Sequence, residues 1–306
     1  MVGEYSRECA NRAVYESDLV VYVGSLTGGL VTRNWSVPPL AAPVIHIDIN
    51  PENIARNYLH SIGLCGDART VLRQLLAGIK GGRNRDAWLK RIAELKTEWL
   101  QGAASMGHSE SLPVRPERLA RELSQALPEN AIIVGDTGHG AAWLAQFVEA
   151  SHPDQSFIRC HGSLGWSFPA ALGAQCAAPD RPVICFCGDG AFYYHLSELE
   201  TAVRYGINVV TVLNDNAGFS QEQALWTSSA ELTRNWKFSQ VDFVALAQAF
   251  GCAAIRVTTA SELQPALRRA LDMRRPVLID VATDDKALAL TGWGPEGMPP
   301  LFSNAH

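Results

Sequence analysis

The sequence predicts an α/β protein with two open, mostly parallel sheets flanked by helices. Apolar runs of about four to seven residues, the length of a buried strand, alternate along the chain with amphipathic segments of helical period. Glycine-rich turns follow several of these runs, which is typical of strands that lead directly into helices. The chain has 306 residues, of which 47% are hydrophobic, enough for about two domains with buried cores.

The first domain is predicted over residues 1–80. Residues 3–17 have a helical pattern, the runs at 18–24 and 43–49 are predicted to be buried strands, and 68–79 is predicted to be a helix with one apolar face. The glycine turn that starts at Gly24, with Asp48 at the end of the next strand, partly matches a dinucleotide-binding fingerprint. The motif G-x-G-x-x-G is absent, so a nucleotide-binding α/β protein is a minor alternative.

A linker and a second domain are predicted to follow. Residues 81–112 are charged and polar, with a helix predicted over 81–99 and a loop over 102–111. The second domain is predicted over 113–285 and repeats strand and helix in βαβ fashion. Residues 286–306 contain several glycines and prolines. They are predicted to form an extended tail that packs against the body or a partner.

The stretch 183–223 carries the strongest functional pattern. An apolar strand at 183–187 leads through the turn Gly188–Gly190 into an amphipathic helix. Such a helix N-terminus binds anions, because its unpaired N–H groups and the positive end of its dipole face the ligand. Asp189, in the middle of the turn, would repel a bare phosphate. The pattern therefore predicts a divalent cation between Asp189 and a phosphate, and Mg²⁺ prefers such oxygen ligands.

A second polar turn completes the predicted metal site. The apolar strand at 208–213 is followed closely by Asp215 and Asn216. Since the strand ends of a βαβ unit lie side by side, the side-chain oxygen of either residue can join Asp189 on the metal. The alternative is an ordinary βαβ turn without a ligand.

The Gly-Asp-Gly turn, with Asn216 27 residues after Asp189 and ELETAVRYGINVV between them, resembles a known superfamily. It is that of the thiamine-diphosphate enzymes, which includes acetolactate synthase, benzoylformate decarboxylase and pyruvate decarboxylase. The resemblance implies that Asp189, Asn216 and the carbonyl of Gly218 bind Mg²⁺. The residues of this stretch that it places on the cofactor are Gly188, Gly190, Ala191, Asn216, Gly218 and Phe219, with the N–H groups of Gly190 and Ala191 on the diphosphate. This chain departs from the family's usual Asn-Asn turn in having Asp215.

Two further segments match cofactor contacts of the family. His139 and Gly140 follow a predicted strand and correspond to diphosphate contacts, although His139 can instead cap the helix. The segment GSLGWSFPAALGA resembles the loop that holds the aminopyrimidine. There the Gly162 carbonyl would accept the amine, Ser163 would lie beside it, and Leu164 would be the apolar wedge that bends the cofactor. Ordinary packing of Leu164 in a loop is the alternative.

Two residues are predicted to act in catalysis. Leu164 does so through the bent cofactor conformation. Glu222, six residues after Asn216, matches in position an acid that the pyruvate decarboxylase branch places near the reacting carbon. As an acid or base it can move a proton. A solvated glutamate that caps a helix is the alternative.

The resemblance implies decarboxylation of a 2-oxo acid with thiamine diphosphate and Mg²⁺ as cofactors. The activated product would then add to an aldehyde or ketone, or would be released as an aldehyde. Carboligation is the first interpretation, because the motifs resemble the acetolactate synthase-like branch most. A catalytically inactive scaffold that holds the cofactor is a further alternative.

The segments DLVVYVG, VIHIDINPENIARNY and GDARTVL resemble part of the family's central domain. FAD is not expected, because the Arg-Phe-Asp-Asp-Arg type of sequence that contacts the flavin is absent. The family's activating glutamate lies on a pyrimidine-binding domain that no segment here resembles. A second polypeptide is expected to supply this domain, in a hetero-oligomer built on dimers, and the alternative is that the sequence is a fragment.

Composition argues against several other classes. The formal net charge of −5 and the absence of a long basic run argue against nucleic acid as a partner. No apolar run approaches the roughly 20 residues that span a bilayer, and the N-terminus has no signal-peptide pattern, so a cytoplasmic protein is expected. The seven cysteines lack C-x-x-C pairs. Cys185 and Cys187 are therefore predicted to be buried as small hydrophobic residues.

Overall fold

The computed structural model describes residues 2–160, 162–225 and 234–295. These residues form two parallel sheets, of three and six strands, with helices around them, which confirms the predicted α/β class. They fall into two compact units. One contains the described residues up to Ala103 and those from Leu290 onward, and the other runs from Ala104 to Ala289. The functional domain bounds given above stay predictions.

The first unit contains a parallel sheet in the order β1-β2-β3. Its strands are β1 (Val20–Val23), β2 (Val44–Asp48) and β3 (Ser61–Cys65). The strands predicted at 18–24 and 43–49 are thus present. The sequence SIGLC of β3 gave no prediction, because five residues that include Ser and Gly are too few to show a period.

β1 is an edge strand and is not buried as predicted. Val21 and Val23 are 47% and 41% exposed. Their register with β2 and β3 places them on the same face as Ile62, which is 65% exposed. The prediction of burial was wrong because an apolar run does not show whether another element covers it.

The described helices up to residue 107 are Glu8–Tyr15, Gly29–Thr32, Ala68–Gly78 and Asp86–Gly107, with a 3₁₀ turn at Pro51–Asn53. The helix predicted over 3–17 is therefore shorter. The loop predicted over 102–111 is wrong for its first half, since the helix continues to Gly107. Ala and Met are good helix formers, and they outweigh the cost of about 1 kcal/mol for Gly102.

The tail packs on the first unit over its described part. The Nδ2 atom of Asn11 donates to the carbonyl of Trp293 at 2.7 Å, and Nε of Arg33 donates to that of Gly292 at 2.8 Å. Tyr15 meets Trp293 edge-on, with ring centroids 5.4 Å apart. The predicted packing of the tail against the body is therefore confirmed for these residues, whereas 296–306 lie outside the described chain.

The second unit contains a parallel sheet in the order β5-β4-β6-β7-β9-β8. The strands are β4 (Ile132–Gly135), β5 (Ser156–Arg159), β6 (Val183–Gly188), β7 (Val209–Asp215), β8 (Ala253–Val257) and β9 (Val277–Ala282). Its helices are Pro116–Ala126, His139–Phe147, Ser167–Ala177, Asp189–Phe192, Glu198–Tyr205, Ser220–Leu225, Phe243–Ala249 and Ala260–Asp272, with a 3₁₀ turn at Arg234–Trp236.

The strand order creates a switch point between β4 and β6. From β4 the chain crosses to β5 on one side, and from β6 it crosses to β7 on the other. In open α/β sheets, ligands bind at the carboxyl ends of the strands at such a point. Register pairs Gly135 with Phe186 and Gly188 with Asn214, so the turns after β4, β6 and β7 meet at one edge.

The core beneath this edge is apolar and closely packed. Phe168, Phe192 and Phe243 contact one another in sequence, with centroid distances of 5.2 and 6.1 Å. Cys185 and Cys187 are 0% and 1% exposed, which confirms their prediction as buried hydrophobic residues. Such burial holds β6 and its following turn in place, since each large apolar side chain contributes about 1.5–3 kcal/mol.

A search of the described helices finds none with both the length and the apolar content that a membrane span requires.

Candidate cofactor site

A cavity of about 380 Å³ lies where the turns after β4, β6 and β7 meet. This size falls within the range of roughly 300–1,000 Å³ that is typical of small-molecule sites. The predicted site residues that line it are His139, Gly140, Gly162, Leu164, Gly188, Asp189, Gly190, Ala191, Asn216, Gly218, Phe219 and Glu222. The structure thus brings together residues that are up to 83 positions apart in the sequence.

Ser163 is the predicted site residue that is not among those lining the cavity. It is exposed, and its carbonyl accepts the thiol of Cys160 at 3.3 Å. The lining also includes residues that the sequence did not single out, namely Thr137, Gly138, Trp143, Tyr194, Asn214, Ser220, Gln221 and Trp236.

Asp189 is buried at the base of the cavity, with 2% of its surface exposed. Its Oδ1 accepts the N–H of Gly190 at 2.8 Å, and its Oδ2 accepts the N–H of Gly218 at 3.0 Å. Burial, helped by the negative charge of Asp215, raises the pKa of Asp189 to about 7 against the two backbone hydrogen bonds. A cation beside this carboxylate would reverse that shift.

The turn after β7 presents two amides to the cavity. Asn214 and Asn216 are 3% and 8% exposed and line it. Among the described residues, Oδ1 of Asn214 and Nδ2 of Asn216 have no hydrogen-bond partner. Asp215, between them, is not among the lining residues, and its Oδ2 accepts Nη1 of Arg256 at 3.0 Å. This geometry favours Asn216 over Asp215 as the side chain available to a ligand.

The segment after the 3₁₀ turn fixes the backbone of Gly218. Gly218 and Lys237 form an antiparallel bridge, in which Phe219 N–H donates to the Trp236 carbonyl at 2.9 Å and Phe238 N–H to the Ala217 carbonyl at 2.8 Å. In such a pair the backbone groups of the bridged residue point away from its partner. The Gly218 carbonyl therefore faces the side on which its N–H reaches Asp189.

Gly190 is required by the aromatic side chains packed against it. A Cβ at this position would lie 2.5 Å from Cε1 of Phe219 and 3.3 Å from Cε2 of Phe238. The two rings are packed edge-on with centroids 4.7 Å apart, so neither can move away easily. The N–H of Gly190 donates to Asp189 and not into the open cavity.

His139 is buried and neutral. Burial lowers its pKa to about 4. It is the first residue of its helix, whose N-cap is Gly138 with a φ of 78°. The alternative in which His139 is the N-cap residue is therefore wrong, because Gly138 occupies that position. Its Nδ1 has no partner among the described residues, and its ring lies edge-on to Trp143 at 5.5 Å.

The loop that carries Gly162 and Leu164 is anchored by Asp136, a residue the sequence analysis missed. Asp136 is 1% exposed and accepts Gly165 N–H at 3.0 Å and Ser167 N–H at 2.9 Å. An aspartate directly after a buried strand is the signal that could have revealed it. Leu164 is half-buried: it packs against the apolar core and also lines the cavity. The ordinary packing expected as the alternative is therefore compatible with contact to a ligand.

Glu222 is the third residue of the helix Ser220–Leu225 and lines the cavity. It is half-buried. Its carboxylate therefore borders the same space as Asp189 and Leu164, where a bound molecule can exchange a proton with it.

Comparison with known protein families identifies two matching domain models. Residues 136–281 match the thiamine pyrophosphate enzyme C-terminal TPP-binding domain, and residues 1–75 match the thiamine pyrophosphate enzyme central domain. The chain belongs to the thiamine pyrophosphate enzymes. Thiamine pyrophosphate is another name for thiamine diphosphate. The resemblance to the thiamine-diphosphate enzymes is therefore confirmed.

Similar proteins include probable acetolactate synthase large subunits. That of Methanocaldococcus jannaschii is 34% identical over 297 residues, which cover 93% of this chain and 49% of that protein. That of Methanococcus aeolicus is 30% identical over 301 residues, covering 93% and 50%. A putative thiamine pyrophosphate-containing protein of Bacillus subtilis is 28% identical over 284 residues, covering 92% and 48%. The chain spans about half the length of the relatives it matches.

The cavity fits the metal-bound diphosphate that a thiamine pyrophosphate enzyme requires. None of the described residues that line it is Lys or Arg, whereas Asp189 and Glu222 are carboxylates. A diphosphate would be repelled unless a divalent cation accompanied it. Among the unpartnered neutral groups, Nδ2 of Asn216 can donate to its oxygens, Oδ1 of Asn214 can bind the metal, and Nδ1 of His139 can donate or accept according to the tautomer.

The glycine turn of the first unit offers fewer free groups for the alternative nucleotide. Asn57 Nδ2 donates to the carbonyl of Thr27 at 3.1 Å. Asp48 Oδ1 accepts Asn50 N–H at 2.8 Å and Asn53 Nδ2 at 3.3 Å. One oxygen of the acidic residue that would contact a ribose is therefore bound within its own loop.

Proposed function

We propose that this chain is a thiamine-diphosphate-dependent subunit that acts on a 2-oxo acid and holds the Mg²⁺-diphosphate end of the cofactor. The observation that carries the proposal is the convergence of Asp189, Asn216 and Gly218 at one cavity. Asp189, the side-chain oxygen of Asn216 and the carbonyl of Gly218 would be the metal ligands. His139, neutral at physiological pH, would contact the diphosphate without adding charge.

Thiamine diphosphate, when bound, supplies a nucleophilic carbon and a ring that accepts the electron pair left by loss of CO₂. The protein contributes position and a proton. Leu164 would set the cofactor's conformation, with the Gly162 carbonyl accepting a hydrogen bond from its amine. Glu222 would hold or deliver a proton at the carboxyl oxygen that borders the cavity. The apolar walls of the cavity would exclude water from the reacting groups.

Carboligation is the activity we propose first, because two of the relatives above are named probable acetolactate synthase large subunits. The substrates would then be a 2-oxo acid donor and a second carbonyl compound as acceptor. Simple decarboxylation to an aldehyde is the second candidate, and the position of Glu222 at the cavity favours it, since release of an aldehyde needs an acid within reach.

We also propose a partner polypeptide that carries a pyrimidine-binding domain and its activating glutamate, in a hetero-oligomer built on dimers. The chain spans about half the length of its relatives, and the proposed partner would supply what corresponds to the other half. The exposed apolar face formed by Val21, Val23 and Ile62 supports this, because such surfaces are typically covered by another polypeptide.

The test is purification of the native assembly from its source, with mass measurement, subunit identification and assay of CO₂ release from pyruvate with Mg²⁺-thiamine diphosphate. We expect a second polypeptide and CO₂ release, with acetolactate as the product if carboligation is the activity and acetaldehyde if it is not. An assembly of this chain alone that binds the cofactor without CO₂ release would support the inactive scaffold instead. Failure to bind Mg²⁺-thiamine diphosphate in either form would refute the cofactor assignment.

A further inference from the structure

Arg256 of β8 holds two buried carboxylates at once. Its Nη1 donates to Oδ2 of Asp215 at 3.0 Å and also to Oδ2 of Asp280. Asp215 is 7% exposed and Asp280 is 1% exposed, so both depend on this pairing. Removing one partner of a buried ion pair leaves an uncompensated charge, which is costly.

Strand register explains the grouping. Arg256 is paired with Asp280 across β8 and β9, and Asp280 is paired with Leu213 across β9 and β7. Side chains two residues apart in a strand share a face. Asp215 therefore lies on the face of the sheet to which Arg256 extends, whereas Asn214 and Asn216 point to the other side and line the cavity.

The carboxylate of Asp215 is held on both oxygens. Oδ2 is bound to Arg256, and Oδ1 accepts the N–H of Ala217 at 3.3 Å. Asp189 and Asp215 are close enough for their charges to repel each other. Arg256 therefore offsets one of the two carboxylate charges of Asp215 and Asp280, so the negative charge beside Asp189 is one unit smaller than it would be without the arginine.

This difference in charge matters more for a diphosphate than for a bare cation. Two uncompensated carboxylates bind a divalent cation more tightly than one, but they repel the anionic diphosphate that must share the metal. Binding of metal and diphosphate together is therefore favoured when Arg256 removes one unit of negative charge from the carboxylates beside Asp189.

We propose that Arg256 is a positioning residue for the metal-diphosphate site: its positive charge offsets one carboxylate charge beside Asp189, and it binds the Asp215 side chain, which does not line the cavity, so that Asn216 faces the metal and the diphosphate is accepted. This inference rests on the proposed function. It adds a residue outside the cavity to those that determine how tightly the two parts of the cofactor bind.

The experiment measures the two affinities separately on the full chain. Mn²⁺ serves as the probe for the bare metal, by the electron paramagnetic resonance of the free ion, and thiamine diphosphate is measured by equilibrium dialysis at saturating Mn²⁺. Arg256→Met should bind Mn²⁺ about tenfold more tightly and thiamine diphosphate about tenfold more weakly, the effect of one unit charge at short range. A residue that only stabilised the fold would weaken both affinities.

Two controls accompany this variant. Arg256→Met combined with Asp215→Asn and Asp280→Asn removes both carboxylates that Arg256 holds and should restore the affinity for thiamine diphosphate to within about threefold of the wild type. Arg118→Met is the matched control, because Arg118 also bridges two carboxylates, Glu110 at 2.7 Å and Glu122 at 2.9 Å, and does not border the cavity. It should change neither affinity.

If Arg256→Met does not fold, Asp215→Asn alone still decides the question. It leaves Arg256 paired with Asp280 and should weaken Mn²⁺ binding without weakening that of thiamine diphosphate. Parallel loss of both affinities, or no change in either, overturns the role of Arg256. A wild-type chain that binds neither Mn²⁺ nor thiamine diphosphate refutes the proposed function itself, and the inference with it.

Discussion

Asp189 is a carboxylate that folding buries, and none of the described residues places a positive charge in direct contact with it. Its pKa is raised from 3.8 to about 7, so the metal-free folded chain keeps a proton that the unfolded chain has lost. The stability of the metal-free protein therefore falls as the pH rises from about 4 to 7. The metal-free protein is thus less stable because a carboxylate intended as a metal ligand is buried even when no metal is bound.

Asp189→Asn should remove that cost. The variant is expected to be more stable than the metal-free wild type by up to about 4 kcal/mol at pH 8, with a much smaller difference at pH 4. Urea unfolding at the two pH values measures this. The same variant should lose binding of Mg²⁺-thiamine diphosphate, because a direct ligand is gone. Equal stability of variant and wild type at pH 8 would contradict the burial of a free carboxylate.

His139 has the opposite dependence on pH. Its pKa is lowered from 6.5 to about 4. Between these two pH values the imidazole is protonated in the unfolded chain and neutral in the folded chain. Stability should fall by about 2 kcal/mol between pH 7 and pH 5 from this group. His139→Gln should lack that part of the decline in urea unfolding. An unchanged decline would show that the imidazole is accessible to protons.

At the scale of the element, the turn after β6 depends on the absence of a side chain at position 190. Gly190→Ala should displace Phe219, destabilise the second unit by about 1–3 kcal/mol and weaken cofactor binding. Gly173→Ala is the matched control. A Cβ there has no atom within 4 Å, and helix propensity should make that variant more stable by about 0.5–1 kcal/mol. Thermal unfolding and calorimetric titration of the cofactor distinguish the two.

The loop of Leu164 depends on Asp136 in a similar way. Asp136→Ala would leave the N–H groups of Gly165 and Ser167 without their acceptor, at a cost of about 2–4 kcal/mol. Because this loop positions Leu164, Asp136→Ala should lower turnover more than it lowers cofactor affinity. Leu164→Ala should have the same effect. Steady-state kinetics of the assembled enzyme, beside dialysis of the cofactor, test this order. A loss confined to affinity would contradict the positioning role.

The turns after β6 and β7 could be predicted from the sequence, because residues of suitable chemistry occur there at the spacing of a βαβ unit. Asp189 and Asn216 lie at a fixed spacing in a βαβ pattern, and both border the cavity as the pattern suggested. Asp136 and Trp236 were missed because their roles arise from contacts between segments far apart in the chain, which have no period or motif. The choice between Asp215 and Asn216 needed the register of β7 against β9, which only the folded sheet provides.

At the scale of the whole molecule, burial was the least predictable property. The apolar run of β1 correctly predicted a strand but not its exposure, since the sequence of one chain does not reveal which surfaces another polypeptide covers. The helix Ala68–Gly78 has no buried residue either, although its pattern predicted an apolar face.

The proposed partner can be tested on this surface. Ile62→Glu should leave the stability of the chain within about 0.5 kcal/mol, because the side chain is 65% exposed, and should weaken association with the second polypeptide. Leu89→Glu, at a 61% exposed position on the helix Asp86–Gly107, is the control. Analytical ultracentrifugation of the assembly measures both. Equal association of the two variants would place the interface elsewhere.

The indole rings beside the cavity give the protein its own optical reporter. Of its eight tryptophans, Trp143 and Trp236 border this space, and each has a buried Nε1–H without an acceptor among the described residues. Indole emission shifts with the polarity and hydrogen bonding of its surroundings. A molecule that enters the cavity and accepts either N–H therefore changes the intrinsic fluorescence, so occupancy can be followed in unlabelled protein while the chemistry proceeds.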